Sequence, residues 1–144
     1  MSAQELKMIA RRYIEEVWNG GDLALIDEIF ARDFVNHTPS PGQLAGREGL
    51  KQFIASLRSA SPDVHFTIDD VIAEGDRVVT RWTARGTHHG DLMGAPPTGK
   101  RITVSAIAID RIVNGRIVEH WAVRDDLGLV QQLGLIPSQE PAQR

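Results

Sequence analysis

The hydrophobic period of this chain changes once, at Ser61-Pro62. Before that point apolar residues recur every three or four positions, the spacing of one helical face. After it they alternate, the spacing of strands buried on one side. A chain ordered this way builds helices first and a sheet second, packed as layers around one core. The fold class read from it is α+β: three N-terminal helices on a curved antiparallel sheet, with a conical hollow between them and a short C-terminal helix.

Local signals place the elements. Ser2 and Glu5 form an S-x-x-E capping box, and Leu6, Ile9, Tyr13, Ile14 and Val17 give the first helix one apolar face. Asn19-Gly20-Gly21 ends it. Asp22 is the expected N-cap of a second helix carrying Leu25, Ile26, Ile29 and Phe30. An extended piece at Asp33–Thr38 leads into a Pro/Ser/Gly loop, and a third helix over about 46–60 carries Leu50, Phe53, Ile54 and Leu57. Strands follow at about 64–73 and 77–87, then a loop over 88–100 and strands at about 101–112 and 116–125. Asn114-Gly115 is a strong two-residue hairpin signal between the last two. At 144 residues the chain reads as a single domain over 1–136, with a frayed tail at 137–144.

Composition excludes several classes of function. The net charge is −3 and no run of Lys and Arg exceeds two, so no basic face exists for nucleic acid. There is no cysteine, hence no disulfide and no thiolate chemistry. The amphipathic N-terminus lacks the apolar core of a signal peptide, and no segment approaches the length of a membrane span. A cytoplasmic protein is expected.

The chemistry-bearing candidates cluster near the end. Strict alternation along the last strand puts Ile117, Glu119, Trp121, Val123 and Asp125 on one face. Trp121 and Val123 mark that face as inward, which places Asp125 beside Trp121 at the strand's inner end. Desolvation there raises a carboxyl pKa toward neutrality and suits it to proton exchange with carbon or a carbonyl oxygen. The plainer alternative is that either acid caps the following helix; the expected division has Asp126 capping and Asp125 reacting. His37, just after Phe34 and Val35, is expected at the cavity mouth, able to bond a substrate oxygen or orient Asp125; the plainer alternative is a loop histidine bonded to backbone. Tyr13 and Trp121 are the aromatic residues expected to line a pocket.

Other patterns are discounted. Gly94-x-x-x-x-Gly99-Lys100 imitates a P-loop, but Arg101 replaces the required Ser or Thr and prolines remove backbone donors. His88-His89 and Glu119-His120 are strand neighbours pointing to opposite faces, so neither pair chelates a metal easily. No G-x-S-x-G elbow is present.

Three stretches in order resemble one family. Trp18-Asn-Gly-Gly-Asp22 with Phe34-Val-Asn-His37, then Gly86-Thr-His-His-Gly90 with Gly94-Ala-Pro-Pro-Thr-Gly-Lys100, and finally Trp121-Ala-Val-Arg-Asp125 with Gln132-Leu-Gly134 resemble the SnoaL-like polyketide cyclases. The resemblance implies the α+β cone shared with nuclear transport factor 2 and ketosteroid isomerase. It also implies chemistry without cofactor or metal, in which one aspartate serves as acid/base for aldol closure of a polyketide ester. On this resemblance Asp125 is the matching aspartate, His37 and His88 match polar pocket positions, and Phe34, Tyr13 and Trp121 contact a small apolar or aromatic substrate. A homodimer is implied as well. The alternatives are an epoxide hydrolase using Arg81 or Arg85 with Asp125, and a non-catalytic ligand-binding dimer.

Overall fold

The structure, a computed structural model, describes residues 1–137. Helix α1 (Ala3–Arg12) opens on the expected capping box, with Ser2 Oγ accepting from the Glu5 amide and Glu5 Oε1 from the Ser2 amide. It runs into a π-helical stretch, Tyr13–Asn19. There an amide bonds five residues back, as Gly20 N–H does to the Glu15 carbonyl at 3.1 Å. This winding brings Tyr13 and Trp18, five residues apart, to the same side, with ring centroids 6.1 Å apart.

A 3-10 turn (Leu23–Leu25) and the short helix α2 (Ile26–Ile29) replace the longer second helix. Contrary to expectation, the Asp22 side chain caps nothing; the turn is closed instead by Leu25 N–H donating to the Asp22 carbonyl. The chain becomes extended earlier than its periodicity suggests. Phe30, assigned to the second helix from sequence, already begins strand β1 (Phe30–Asn36). Helix α3 (Gly46–Ala60) falls where the periodicity puts it.

Four strands then form an antiparallel meander: β2 (His65–Glu74), β3 (Arg77–Thr87), β4 (Arg101–Val113) and β5 (Arg116–Arg124). Strand β1 joins the β5 edge in parallel, giving the order β1-β5-β4-β3-β2. Helix α4 (Asp126–Gln132) closes the described chain. Helices pack on one face of the sheet, burying Leu6, Val17, Ile26, Phe30, Ile54 and Ile117 in a common core. Each such side chain contributes about 1.5–3 kcal/mol of burial free energy. No described helix is long and apolar enough to cross a membrane. Of the expected frayed tail, residues 138–144 lie outside the described residues.

One irregularity decides what the sheet presents to the helices. On β4 and β5, Ile112 pairs with Ile117, but the next pair is Arg111 with Glu119. Val118 is therefore an extra residue, a β-bulge, and every side chain beyond it changes face. Ile117 points inward and is fully buried, whereas Val123, expected inward with it, is 76% exposed. Glu119, Trp121 and Val123 lie on the outer face, and His120, Ala122 and Arg124 turn inward.

Candidate active site

Between the sheet and the π-helical stretch and α3 lies a cavity of about 150 Å³. A space of that size holds an aromatic body of one or two rings. One wall is apolar, built from Trp18, Phe53, Leu57, Phe66, Trp82 and Val104. The other carries Tyr13, Asn36, Thr80, Asp110, His120 and Arg124. An apolar hollow with a few convergent polar groups is the usual form of a small-molecule site.

The bulge creates the polar pole of this cavity. A two-residue turn followed by regular pairing sets Asp110 opposite Glu119, two like charges face to face. The extra residue instead pairs Asp110 with His120 and Arg111 with Glu119. Both contacts are short: His120 Nδ1 to Asp110 Oδ1 is 2.6 Å, and Arg111 Nη2 to Glu119 Oε1 is 2.6 Å. Asp110 is 3% exposed. Because a carboxylate only accepts, the imidazole Nδ1 carries the proton, and Nε2 is left to face a ligand. Among the described residues none hydrogen-bonds that Nε2.

Burial alone lowers the pKa of His120, but the charge of Asp110 and its hydrogen bond together outweigh it, and the net direction is upward. The imidazole therefore takes a proton more readily than in water. The Tyr13 phenol is driven far up, first by burial and then by the Asp110 charge, so it stays protonated as a donor. Arg124 stands with its guanidinium over Phe53 and donates from Nη2 to Ser40 Oγ at 3.0 Å. The 36–38 segment is fastened to β5 by His37 N–H to the His120 carbonyl and by Ala122 N–H to Thr38 Oγ1. Among the described residues no three His, Asp or Glu side chains converge as metal ligands.

The residues singled out from sequence divide between the two faces. Tyr13 lines the cavity. Asp125 does not: it is the N-cap of α4, with Oδ1 accepting from the Gly128 amide at 2.9 Å. Asp125 thus takes the capping role expected of Asp126, and Asp126 lies near Arg124, 3.4 Å from its Nε, outside the cavity lining. Trp121 stands on the outer face, sandwiched between His37, stacked at 4.6 Å, and Arg77 at 5.3 Å. His37 is paired there with Glu119 Oε2 at 3.0 Å, away from the cavity mouth. Trp121 and Asp125 leave the inner face because of the parity change at Val118, and His37 meets Glu119 on that outer face. Phe34 packs on Phe30 in the core, off the cavity wall.

His88 is fully buried beneath the 88–100 loop. Thr98 N–H donates to its Nδ1, so the proton sits on Nε2, which has no partner among the described residues. Of the residues of the epoxide-opening alternative, Arg85 lines the cavity, Asp125 caps α4, and Arg81 turns outward. Arg81 Nη2 is 2.6 Å from Asp70 and its Nη1 is 3.7 Å from Asp69, on the exposed outer face.

Sequence reasoning missed Asp110, His120 and Thr80. A signal was present: Asp110 follows Ala106 and Ala108 in an Ile/Ala alternation, so it lies on the small-residue side of β4.

Comparison with known proteins accords with this architecture. The SnoaL-like polyketide cyclase family matches residues 8–133. The aklanonic acid methyl ester cyclase DnrD of Streptomyces peucetius is 30% identical over 132 residues, covering 88% of each chain. The nogalonic acid methyl ester cyclase of Streptomyces nogalater is 29% identical over 119 residues, covering 81% of this chain and 89% of that protein. TsrD from Streptomyces laurentii superposes with a TM-score of 0.86 at 30% identity, over 94% of this chain and 99% of that one. A profile match over most of the length, with cyclase relatives aligned nearly end to end, makes the chain a member of the SnoaL-like polyketide cyclase family.

Proposed function

We propose that the chain closes a ring in a polyketide-like methyl ester by aldol chemistry without a cofactor, with His120 as acid/base. The observation that carries this reading is the buried Asp110–His120 pair at the polar pole of an otherwise apolar cavity. In the first step neutral His120 takes, through Nε2, a proton from the carbon α to a carbonyl. The resulting enolate carbon attacks a second carbonyl, forming the new carbon–carbon bond. The imidazolium then returns its proton to the alkoxide, so the product is an isomer of the substrate. Asp110 holds the ring in one tautomer and stabilises the imidazolium. The apolar wall folds the substrate so that the reacting carbons approach, which lowers the entropic barrier.

Aklanonic acid methyl ester and nogalonic acid methyl ester, the substrates named for the relatives, are the compounds to offer. The expected result is a cyclised isomer of unchanged mass, formed by the wild type and lost in Asp110→Asn. Tight binding with no turnover of either ester points instead to a ligand-binding protein. The proposed homodimer uses the outer sheet face, where Ile107 and Val123 are exposed as a cross-strand pair and Ile72 is exposed on β2 beyond Val79.

A further inference from the structure

Thr80 is a buried hydroxyl on the cavity wall that finds no partner among the described residues. It is 3% exposed, lines the cavity from β3, and its Oγ1 has no hydrogen-bond partner among the described residues. A buried polar group left unpaired costs free energy, so such groups are normally satisfied. Thr80 could be valine, of the same shape, at no cost to packing. Its surroundings show what a hydroxyl does there. Thr80 pairs across the sheet with Ala108, and Ala108 with Ala122, giving a row of two methyl groups beside one hydroxyl. The next row carries Val78, Asp110 and His120. Thr80 and His120 thus stand two strands and two residues apart, roughly 12 Å at the backbone by ordinary strand geometry. Between them the alanines leave a flat, shallow floor within the cavity.

We infer that Thr80 is a specificity-determining residue, whose hydroxyl binds an oxygen on the edge of the substrate ring opposite the one facing His120. The ligand class this selects is a flat one- or two-ring body with oxygen substituents on opposite edges, lying on Ala108 and Ala122. The inference rests on the small-aromatic reading of the cavity but not on turnover, so it is tested by binding. The probes are 1,4-naphthoquinone, with carbonyls on opposite edges, and naphthalene, the same two-ring body without oxygen. The chain has no cysteine to add to the quinone.

Equilibrium dialysis of both probes against wild type, Thr80→Val and Thr80→Ser gives the answer. Thr80→Val is expected to weaken the quinone about fivefold, the worth of one net hydrogen bond, and to leave naphthalene unchanged. Thr80→Ser is expected to restore the quinone to within about twofold of wild type, the melting temperatures of all three proteins serving to exclude misfolding. Unchanged quinone affinity in Thr80→Val, or an equal loss for both probes, overturns the role given to Thr80. Failure of the wild type to bind either probe overturns the small-aromatic reading of the cavity, and this inference with it.

Discussion

Strand β5 carries two histidine–carboxylate pairs, one on each face. Inside, His120 meets Asp110 at 2.6 Å; outside, His37 meets Glu119 at 3.0 Å. By residue type and distance they are nearly the same object. They differ in what surrounds them. The inner carboxylate is 3% exposed and, among the described residues, hydrogen-bonds only His120, and the pair looks into an apolar cavity. The outer one is shared with Arg111, whose hydrogen bond is the main reason the Glu119 carboxyl lies below its ordinary range. The outer imidazole is itself covered by Trp121. A general acid/base must reach its substrate, and of the two pairs the inner one lines the cavity.

Mutating matched partners should separate the two sites most widely in turnover. Asp110→Asn is expected to lower kcat by roughly 10²–10⁴-fold, the usual worth of a positioned acid/base. Glu119→Gln should change it less than about twofold. Comparable losses would erase the distinction. Stability is the next most sensitive comparison. Asp110→Ala leaves His120 buried without its partner and should cost about 3–5 kcal/mol in urea unfolding, as for one-sided removal of a buried pair. Glu119→Ala, at a half-buried pair, should move the midpoint less than Asp110→Ala does.

A smaller effect is expected in the pH dependence. The pKa of His120 is raised in the folded protein, so its pairing contributes full stability below the unfolded value near 6.5. That contribution is lost as pH rises through the folded value. The stability gap between wild type and Asp110→Asn should therefore be widest in mild acid and should narrow as the solution becomes alkaline. Asp63 works in the opposite sense. Its carboxyl is lowered to about 2, first by the Thr87 hydroxyl and then by the Thr87 amide. Its contribution is present above the unfolded value near 3.8 and fades as pH falls through about 2. A gap between wild type and Asp63→Asn that persisted below pH 2 would contradict this.

The layer order, α3 and the four-strand meander were legible because they rest on apolar period and on Asn114-Gly115, which are local signals. Strand β1 was half legible: Asp33–Thr38 read as extended, but its parallel pairing with β5 depends on a partner eighty residues away. The proposed site was hidden by a single residue. Counting by twos along β5 is sound until Val118, and one extra residue there sends Trp121 outward and His120 inward. Hydrophobicity gave no warning, since Trp121 and Val123 are as apolar as any inward pair. The charges did: regular register beyond the hairpin sets Asp110 against Glu119, an unfavourable pairing that one bulge converts into two opposite-charge pairs. Thr80 was not legible, because a threonine in a strand is ordinary until its hydroxyl is seen to lack a partner.

The most direct test compares His120→Gln with Asp125→Asn in single-turnover ring closure of the methyl ester substrate. Asparagine still caps α4, so the second change leaves the fold intact. Turnover lost in His120→Gln and retained in Asp125→Asn is the predicted result; turnover lost in Asp125→Asn and retained in His120→Gln would contradict the account.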